Sequence, residues 1–446
     1  MGGLGSSGES WMAAGQASGA VASATAEAGA ENGSSYTLPM VLMVSLYFGI
    51  GFITALNDIL VPHFKDLFHL SNFLALLVQF CFFGAYFVMS LPSGWIVGRI
   101  GYKLGIIAAL STMGMGLLLF VPASIVISYP LFLFALFVVG SGLALLQVAI
   151  NPYVGALGKP QTAAARLNLC GFFNSLATTV APGVGAAFIF IAAGATAAQL
   201  ARSVRVPYVL IACFTFSLAV ITLFVPLPEL IERRVEVSAQ AKKAARSAWQ
   251  FVHLRLGALA IFTYVGAEVA IGSLMINFLG QPSMGSMSHA AAAHYVQLYW
   301  GGAMVGRLIG SAALLKVPTE RALATVASVA ALLVAIAIFG HGSIAMWAVV
   351  SCGLFNSVMW PCIFPLSVKG LGKFTSEGSG ILVMMVVGGA VIPEIQGLLA
   401  DRFGYQHSFA IVLLCYTYLI YFALSGYRMR QPKLATEADF LPPVEV

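Results

Sequence analysis

The chain has 446 residues, of which 60% are hydrophobic and 9% charged, and it carries a net charge of +6. Soluble domains hold about 25% charged residues, so this composition excludes a water-soluble fold and makes lipid the solvent. The basic residues sit in short loops between apolar runs, a topological pattern that points away from a nucleic-acid partner.

Residues 1–37 are rich in Ala, Gly and Ser, contain Glu9, Glu27 and Glu31, and lack Lys and Arg. With neither a basic start nor an apolar core they are not a signal peptide, and a disordered cytoplasmic tail is expected. Twelve apolar runs follow, each near the ~20 residues that cross a bilayer. The first six span 38–61, 74–97, 104–122, 129–152, 167–194 and 206–227. The second six span 256–279, 293–315, 322–340, 343–366, 378–400 and 406–427. Residues 228–255 are the one long polar connection and read as a cytoplasmic linker between an N-terminal bundle (38–227) and a C-terminal bundle (256–427). Residues 428–446 read as a second cytoplasmic tail. Cys81, Cys170, Cys213, Cys352, Cys362 and Cys415 all lie in apolar runs without CxxC spacing, so neither a disulfide framework nor a metal site is expected.

Basic residues set the orientation. With both termini inside, the inner loops collect Arg99, Lys103, Lys159, Arg166, the linker cluster, Lys316, Arg321, Lys369, Lys373, Arg428, Arg430 and Lys433. The outer side keeps Lys65, Arg202, Arg205 and Arg402. The halves also echo each other. Asn151-Pro-Tyr-Val-Gly-Ala-Leu-Gly-Lys159 follows the fourth span, and Trp360-Pro…Leu-Gly-Lys373 follows the tenth. The fifth and eleventh spans share small-residue stretches, at Ala181-Pro-Gly-Val-Gly-Ala-Ala187 and Gly388-Gly-Ala-Val-Ile-Pro393, which allow close helix approach. Two repeated six-helix bundles predict a rocking transporter with its site between the halves near mid-bilayer.

Several motifs then carry a resemblance. They include Leu56-Asn-Asp-Ile-Leu-Val-Pro-His-Phe64, Gln79-Phe-Cys-Phe-Phe-Gly-Ala-Tyr-Phe87, Leu91-Pro-Ser-Gly94 and Gln147-Val-Ala-Ile-Asn-Pro-Tyr153. Further along come Arg166-Leu-Asn-Leu169, Phe173-Asn-Ser-Leu176, Tyr264-Val-Gly-Ala-Glu268, Tyr299-Trp-Gly-Gly-Ala-Met-Val-Gly-Arg-Leu-Ile-Gly310 and Gly353-Leu-Phe-Asn-Ser357. Over about 40–425 the chain resembles the major facilitator superfamily, and within it the fucose–galactose–glucose:cation symporter family. The resemblance implies an all-α integral membrane fold with twelve transmembrane helices in two pseudo-symmetric bundles. It also implies sugar uptake by alternating access and a coupling role for Asp58. Two departures stand out. Gln147 takes a position that carries a carboxylate in the fucose-permease branch, which disfavours fucose. Gly171 takes a position that usually holds Gln, which removes a donor and is expected to enlarge a cavity. Gly98 also stands where the superfamily's loop motif commonly has Asp.

Asp58 lies inside the first span, where a carboxylate costs about 2.5–3.5 kcal/mol on insertion scales, so a functional role is the default expectation. A carboxylate away from water favours its neutral form, which suits reversible protonation; ionised, the same group suits sodium. Asp58 and Glu268, in corresponding first and seventh spans, are the candidate cation-coupling pair, with satisfied packing roles as the alternative. Glu394, near a Pro, reads as structural. A sugar needs convergent amides for its hydroxyls and an apolar face for its ring. Asn57, Gln147, Asn151, Asn174, Asn277, Asn356 and the ring of Trp360 are the candidates; Asn168 is weighed with them, although Asn168 and Asn174 are as well explained as ties between helices. His63 and His69 read as surface histidines. Arg307 is expected to snorkel or pair at the inner gate.

The expected function is import of a neutral hexose of the glucose/galactose class by symport with H⁺ or Na⁺, with no other cofactor. An L-fucose or N-acetylglucosamine permease is the nearest alternative, and a non-transporting sugar sensor a more distant one. No nucleophile–base pair or phosphate loop suggests an enzyme. The lipid bilayer and a monosaccharide are the expected partners, with a monomer in a bacterial inner membrane.

Overall fold

The computed structural model describes residues 36–69, 72–189, 196–228, 247–284 and 286–429, and the tails and most of the expected linker lie outside them. In the N-terminal half, α1 is Thr37–Phe68. A continuous helix, Asn72–Leu118, breaks at Gly101 into α2 (72–100) and α3 (102–118), which Phe120–Val126 extends. Tyr129–Ala156 is α4, Ala163–Ile189 is α5 and Arg205–Phe224 is α6. In the C-terminal half α7 is Val252–Leu279, α8 is His289–Ala313 and α9 is Thr319–Phe339. Gly342–Asn356 and Met359–Val368 form α10; Thr375–Met384 and Gly388–Phe403 form α11; Ala410–Tyr421 is α12.

Among the described residues, nine stretches are long and apolar enough to cross a membrane, and the 47-residue stretch Phe80–Val126 holds two spans. The spans outside that set are α5 and α8, the helices that carry Asn168, Asn174, Ser175 and Arg307. Their polar residues turn toward the junction of the halves, not toward lipid, as shown below. Apolar side chains such as Phe224 (82% exposed) and Phe339 (77%) are bare on the periphery, as expected where lipid is the neighbour. Inside, aromatic pairs fill each half, for example Phe120 stacked on Tyr208 at 3.9 Å and Phe278 against Phe409 at 5.0 Å.

The helix boundaries depart from the sequence expectation in places. The first helix runs past 61 to Phe68, and α7 starts at Val252, inside the expected linker. Both shifts extend a helix into flanking polar residues that hydropathy alone assigns to loops. A further repeat emerges at two turns. Gly94-Trp-Ile-Val-Gly-Arg-Ile-Gly-Tyr102 and Gly397-Leu-Leu-Ala-Asp-Arg-Phe-Gly-Tyr405 align residue by residue. Gly101 (φ 81°, ψ 168°) and Gly404 (φ 82°, ψ 158°) share a backbone conformation that is essentially confined to glycine. This turn swings α3 away from α2, and its counterpart swings α12 away from α11.

Chain ends near 36, 228, 247 and 429 gather at one end of the bundle, the linker end. Tyr153 Oη donates to Pro228 O (2.9 Å), Lys103 Nζ caps α6 at Leu223 O and Val225 O (2.9 and 3.0 Å), and Ser247 Oγ donates to Glu377 Oε1 (2.6 Å). The two halves meet there. A Cβ on Gly94 of α2 would lie 2.7 Å from Ser376 O of α11, and one on Gly380 would lie 2.6 Å from Ser90 O. Only glycine lets these backbones come so close. Ser379 Oγ also donates across the junction to Val148 O (2.9 Å). The hydrogen bonds from α5 to α8 and from α11 to α4 lie between the linker end and mid-bundle, and with the glycine contacts they close the junction at that end.

Candidate functional site

Two polar clusters face each other across this junction. In the N-terminal half, Tyr47 of α1 donates its hydroxyl to Asn151 Oδ1 on α4 and accepts Asn174 Nδ2 of α5 at its backbone oxygen (3.0 Å). Asn151 is buried, and its Nδ2 has no partner among the described residues. Four residues earlier on α4, half-buried Gln147 donates Nε2 to Tyr86 Oη on α2 at 3.1 Å. A spacing of four puts Gln147 and Asn151 on one face of α4, so this face presents two amides to α1 and α2.

In the C-terminal half, Glu268 is buried on α7. Tyr264, one turn earlier, donates to Glu268 Oε2 (2.9 Å), an i,i+4 pairing. Glu268 Oε1 has no partner among the described residues. Tyr299 of α8 donates to the Glu268 backbone oxygen (2.9 Å) and accepts Asn356 Nδ2 of α10 (2.8 Å). Asn356 Oδ1 in turn accepts Tyr416 Oη of α12 (2.6 Å). Four helices thus converge on a fully buried Asn356 whose amide is used at both atoms. In this conformation Asn356 is a strut between helices, with its amide committed at both atoms and fully buried.

Arg307 of α8 stands between the clusters. Its Nη1 donates to Gly171 O (3.0 Å) and to Ser175 Oγ, both on α5 of the other half. Its own backbone oxygen accepts Asn168 Nδ2 from α5 (2.8 Å). Its charge lies within electrostatic reach of Tyr47 on one side and of Tyr264 and Glu268 on the other. The cavity expected from Gly171 is therefore filled: a Cβ there would meet Arg307 Cδ at 3.4 Å. The Arg307 side chain lies against the space beside Gly171, in ordinary contact distance of where a Cβ would stand.

The remaining candidates are placed as follows. Asn57 and Asp58 belong to α1, but their side chains lie outside the described residues. Asn174 ties α5 to α1, and Asn168 ties the two halves. Asn277 is exposed near the far end of α7, away from both clusters. Half-buried Trp360 stacks on Phe364 (6.0 Å between centroids, 25° between planes). Glu394 is exposed. His63 corrects an expectation: it is 2% exposed, with Nε2 3.1 Å from Leu200 O. The helix continues past it, so packing against the 197–203 segment covers a ring expected in water. His69 is exposed. Sequence reading passed over Tyr47, Tyr86, Tyr299, Tyr416 and Ser175. A tyrosine deep in an apolar span was the available signal, because its hydroxyl demands a partner there.

An all-helical bundle in two halves, closed at one end around a buried carboxylate and an arginine, defines an alternating-access membrane transporter. A family model described as Major Facilitator Superfamily matches residues 43–393. The "Glucose/galactose transporter" of Brucella abortus is 50% identical over 393 residues, covering 88% of this chain and 95% of that one. The "L-fucose-proton symporter" of Escherichia coli is 31% identical over 412 residues, covering 87% and 93%. The crystal structure of FucP in the outward conformation superposes with a TM-score of 0.79 at 31% identity, covering 88% and 99%. The chain belongs to the major facilitator superfamily and, within it, to the fucose–galactose–glucose:cation symporter family. Its twelve-helix fold is the major facilitator fold, and its family is one of transporters, not enzymes.

Proposed function

We propose that the protein imports a neutral hexose of the glucose/galactose class by cation-coupled symport through alternating access. The observation that carries the mechanism is the closure at the linker end. Buried Glu268 and half-buried Arg307 stand where the two halves meet, and among the described residues hydrogen bonds join the halves from mid-bundle to the linker end. A carboxylate that can take up and release a cation at such a junction couples ion binding to which end is open. The substrate class is supported by the relative named "Glucose/galactose transporter" at 50% identity. It is also supported by the chemistry of the N-terminal face, where Gln147, Asn151 and Asn174 offer amides and no charge to neutral hydroxyls.

The roles divide accordingly. Asp58 and Glu268 are the cation-coupling carboxylates, for H⁺ or Na⁺. Asn57, Gln147, Asn151, Asn174 and Trp360 are the substrate-facing set, with Asn356 entering only in a conformation that frees its amide; Asn277, exposed and away from both clusters, is left out. Arg99, Lys103, Lys159, Arg166, Lys316, Arg321, Lys369 and Lys373 lie toward the linker end, against Arg202, Arg205 and Arg402 at the far end. This bias supports a cytoplasmic linker end, so the closed end is read as the inward one. A monomer in the bacterial inner membrane with both termini cytoplasmic completes the reading.

The test is uptake into proteoliposomes with pH and sodium gradients imposed separately, over glucose, galactose, mannose, fructose, fucose and N-acetylglucosamine. Accumulation of glucose or galactose under one gradient is expected. Failure to accumulate any sugar under either gradient rules symport out, and accumulation of fucose or N-acetylglucosamine alone replaces the substrate class.

A further inference from the structure

The helices α2 and α11, which close the linker end, repeat one another over their full length. The alignment of Gly94–Tyr102 with Gly397–Tyr405 extends back to the helix starts: at the same spacing Asn72, where α2 begins, matches Thr375, where α11 begins. The two run antiparallel, α2 toward the linker end and α11 away from it, and they meet end on start. A Cβ on Gly94 would lie 2.7 Å from Ser376 O, and one on Gly98 would lie 2.9 Å from Ser376 Oγ. The last turns of α2 thus sit on the second residue of α11. The repeat puts the converse set at the far end: Gly397 matches Gly94, Asp401 matches Gly98, and Phe73, the second residue of α2, matches Ser376. From the Ser90–Gly380 crossing, Phe73 and Gly397 each lie about seventeen residues, roughly 25 Å of helix, toward the far end. They stand at equal depth. Among the described residues no atom comes within 4 Å of a Cβ on Gly397, and Asp401 is exposed.

The two ends are chemically complementary. The first turn of α11 carries its own acid, Glu377, and the α2 residue laid against that turn is Gly98. The first turn of α2 has no acid, and the α11 residue that matches Gly98 is Asp401. A helix start holds N–H groups without intrahelical acceptors and favours a nearby carboxylate. We propose that in the opposite-facing conformation the same two helices close the far end with their roles exchanged: Gly397 and Asp401 of α11 seat on the first turn of α2, and the Asp401 carboxylate accepts from its free backbone N–H groups. Rocking of one half against the other brings the two contact sets together by turns. Leu77 matches Gly380, so the second closure is confined to the last turns of α11, where Gly397 gives the room and Asp401 the acceptor. The proposal rests on the alternating-access reading and on neither the sugar nor the coupling ion.

Disulfide trapping tests both ends in full-length protein reconstituted in lipid, with Cys81 and Cys213 changed to Ser; the other four cysteines are buried. Gly98→Cys with Ser376→Cys is the linker-end pair. Its Cβ atoms would stand 3.9 Å apart, within disulfide range, and it is expected to oxidise readily. Phe73→Cys with Asp401→Cys is the far-end pair. It is expected to oxidise slowly, and roughly tenfold faster when Gly380→Ala overpacks the linker-end contact. Phe73→Cys with Glu394→Cys, about 10 Å out of register, is expected to stay reduced. No far-end disulfide in either background, equal rates in both, or equal oxidation of the out-of-register pair overturns the proposal. The carboxylate is tested by labelling a single cysteine at Ser376. Asp401→Asn and Gly397→Leu are each expected to slow that labelling, because a far end that closes poorly keeps the linker end shut. Gly397→Leu has room in the present conformation and keeps the test decisive if Asp401→Asn does not fold. Unchanged labelling in both variants overturns the role of the α11 end. Neither sugar nor gradient enters, so a failed uptake panel and a failed far-end closure are told apart.

Discussion

Asn356 Nδ2 donates to Tyr299 Oη at 2.8 Å, and through that hydroxyl α10 is fastened to the backbone of Glu268 on α7. The C-terminal half therefore holds its buried carboxylate in a frame of phenols and one amide that spans four helices. A frame of this kind fixes where the carboxylate stands while leaving Oε1 free to respond.

Replacing Asn356 with Leu removes an acceptor from Tyr416 and a donor to Tyr299 at a fully buried site. A buried hydroxyl left without its partner costs about 1–3 kcal/mol. The variant is expected to unfold several degrees lower in detergent, followed by loss of tryptophan or scattering signal on heating. An unchanged melting temperature removes the strut role.

Asp58 is the first residue to test for coupling. Asp58→Asn is expected to abolish gradient-driven accumulation in proteoliposomes while sugar exchange between two sides of equal pH continues. Equal accumulation by variant and wild type dismisses Asp58 as a coupling group.

Gln147 bonds Tyr86 and faces the junction from α4. Gln147→Ala is expected to raise the apparent KM for the transported hexose roughly tenfold, the scale of one lost sugar hydrogen bond in a protected site. The maximal rate should fall less. A fall in maximal rate at constant KM instead makes Gln147 part of the moving parts and not of the sugar site.

Gly380 tests the closure between α2 and α11. An added methyl would lie 2.6 Å from Ser90 O, a backbone atom that cannot rotate away. Gly380→Ala is expected to open the linker end, read as faster labelling of a cysteine placed at Ser376. Gly101→Ala provides the contrast. No atom lies within 4 Å of a Cβ there, yet φ is +81°. Its effect is therefore backbone strain, about 1–3 kcal/mol, seen as lower thermal stability without changed labelling at Ser376. If both variants label alike, the Gly380 contact does not control the gate.

Several features of the site were legible before any coordinates. Glu268 stood out because a carboxylate in an apolar span is expensive, and its i,i+4 relation to Tyr264 was already in the chain. Arg307 was legible as a cation near the gate. Its partners were not: they are a backbone oxygen and a serine on a helix more than a hundred residues away. The same blindness explains Gly171, which reads as an empty space until the Arg307 side chain is found filling it. It also explains His63, since the segment that covers it begins past residue 190.

The sequence by itself determined the solvent, the helix count and the two-part plan, because hydropathy, basic bias and internal repetition are properties of the chain alone. It also marked which polar residues had to be sheltered from lipid. Only the tertiary structure decided where each one found shelter. Asn356 went to a strut, Asn277 to an exposed turn near a helix end, and Arg307 to the seam between halves. A buried polar group must be satisfied by whatever atom packing brings within 3 Å. That atom is chosen by the crossing of helices distant in the chain, which no local pattern records.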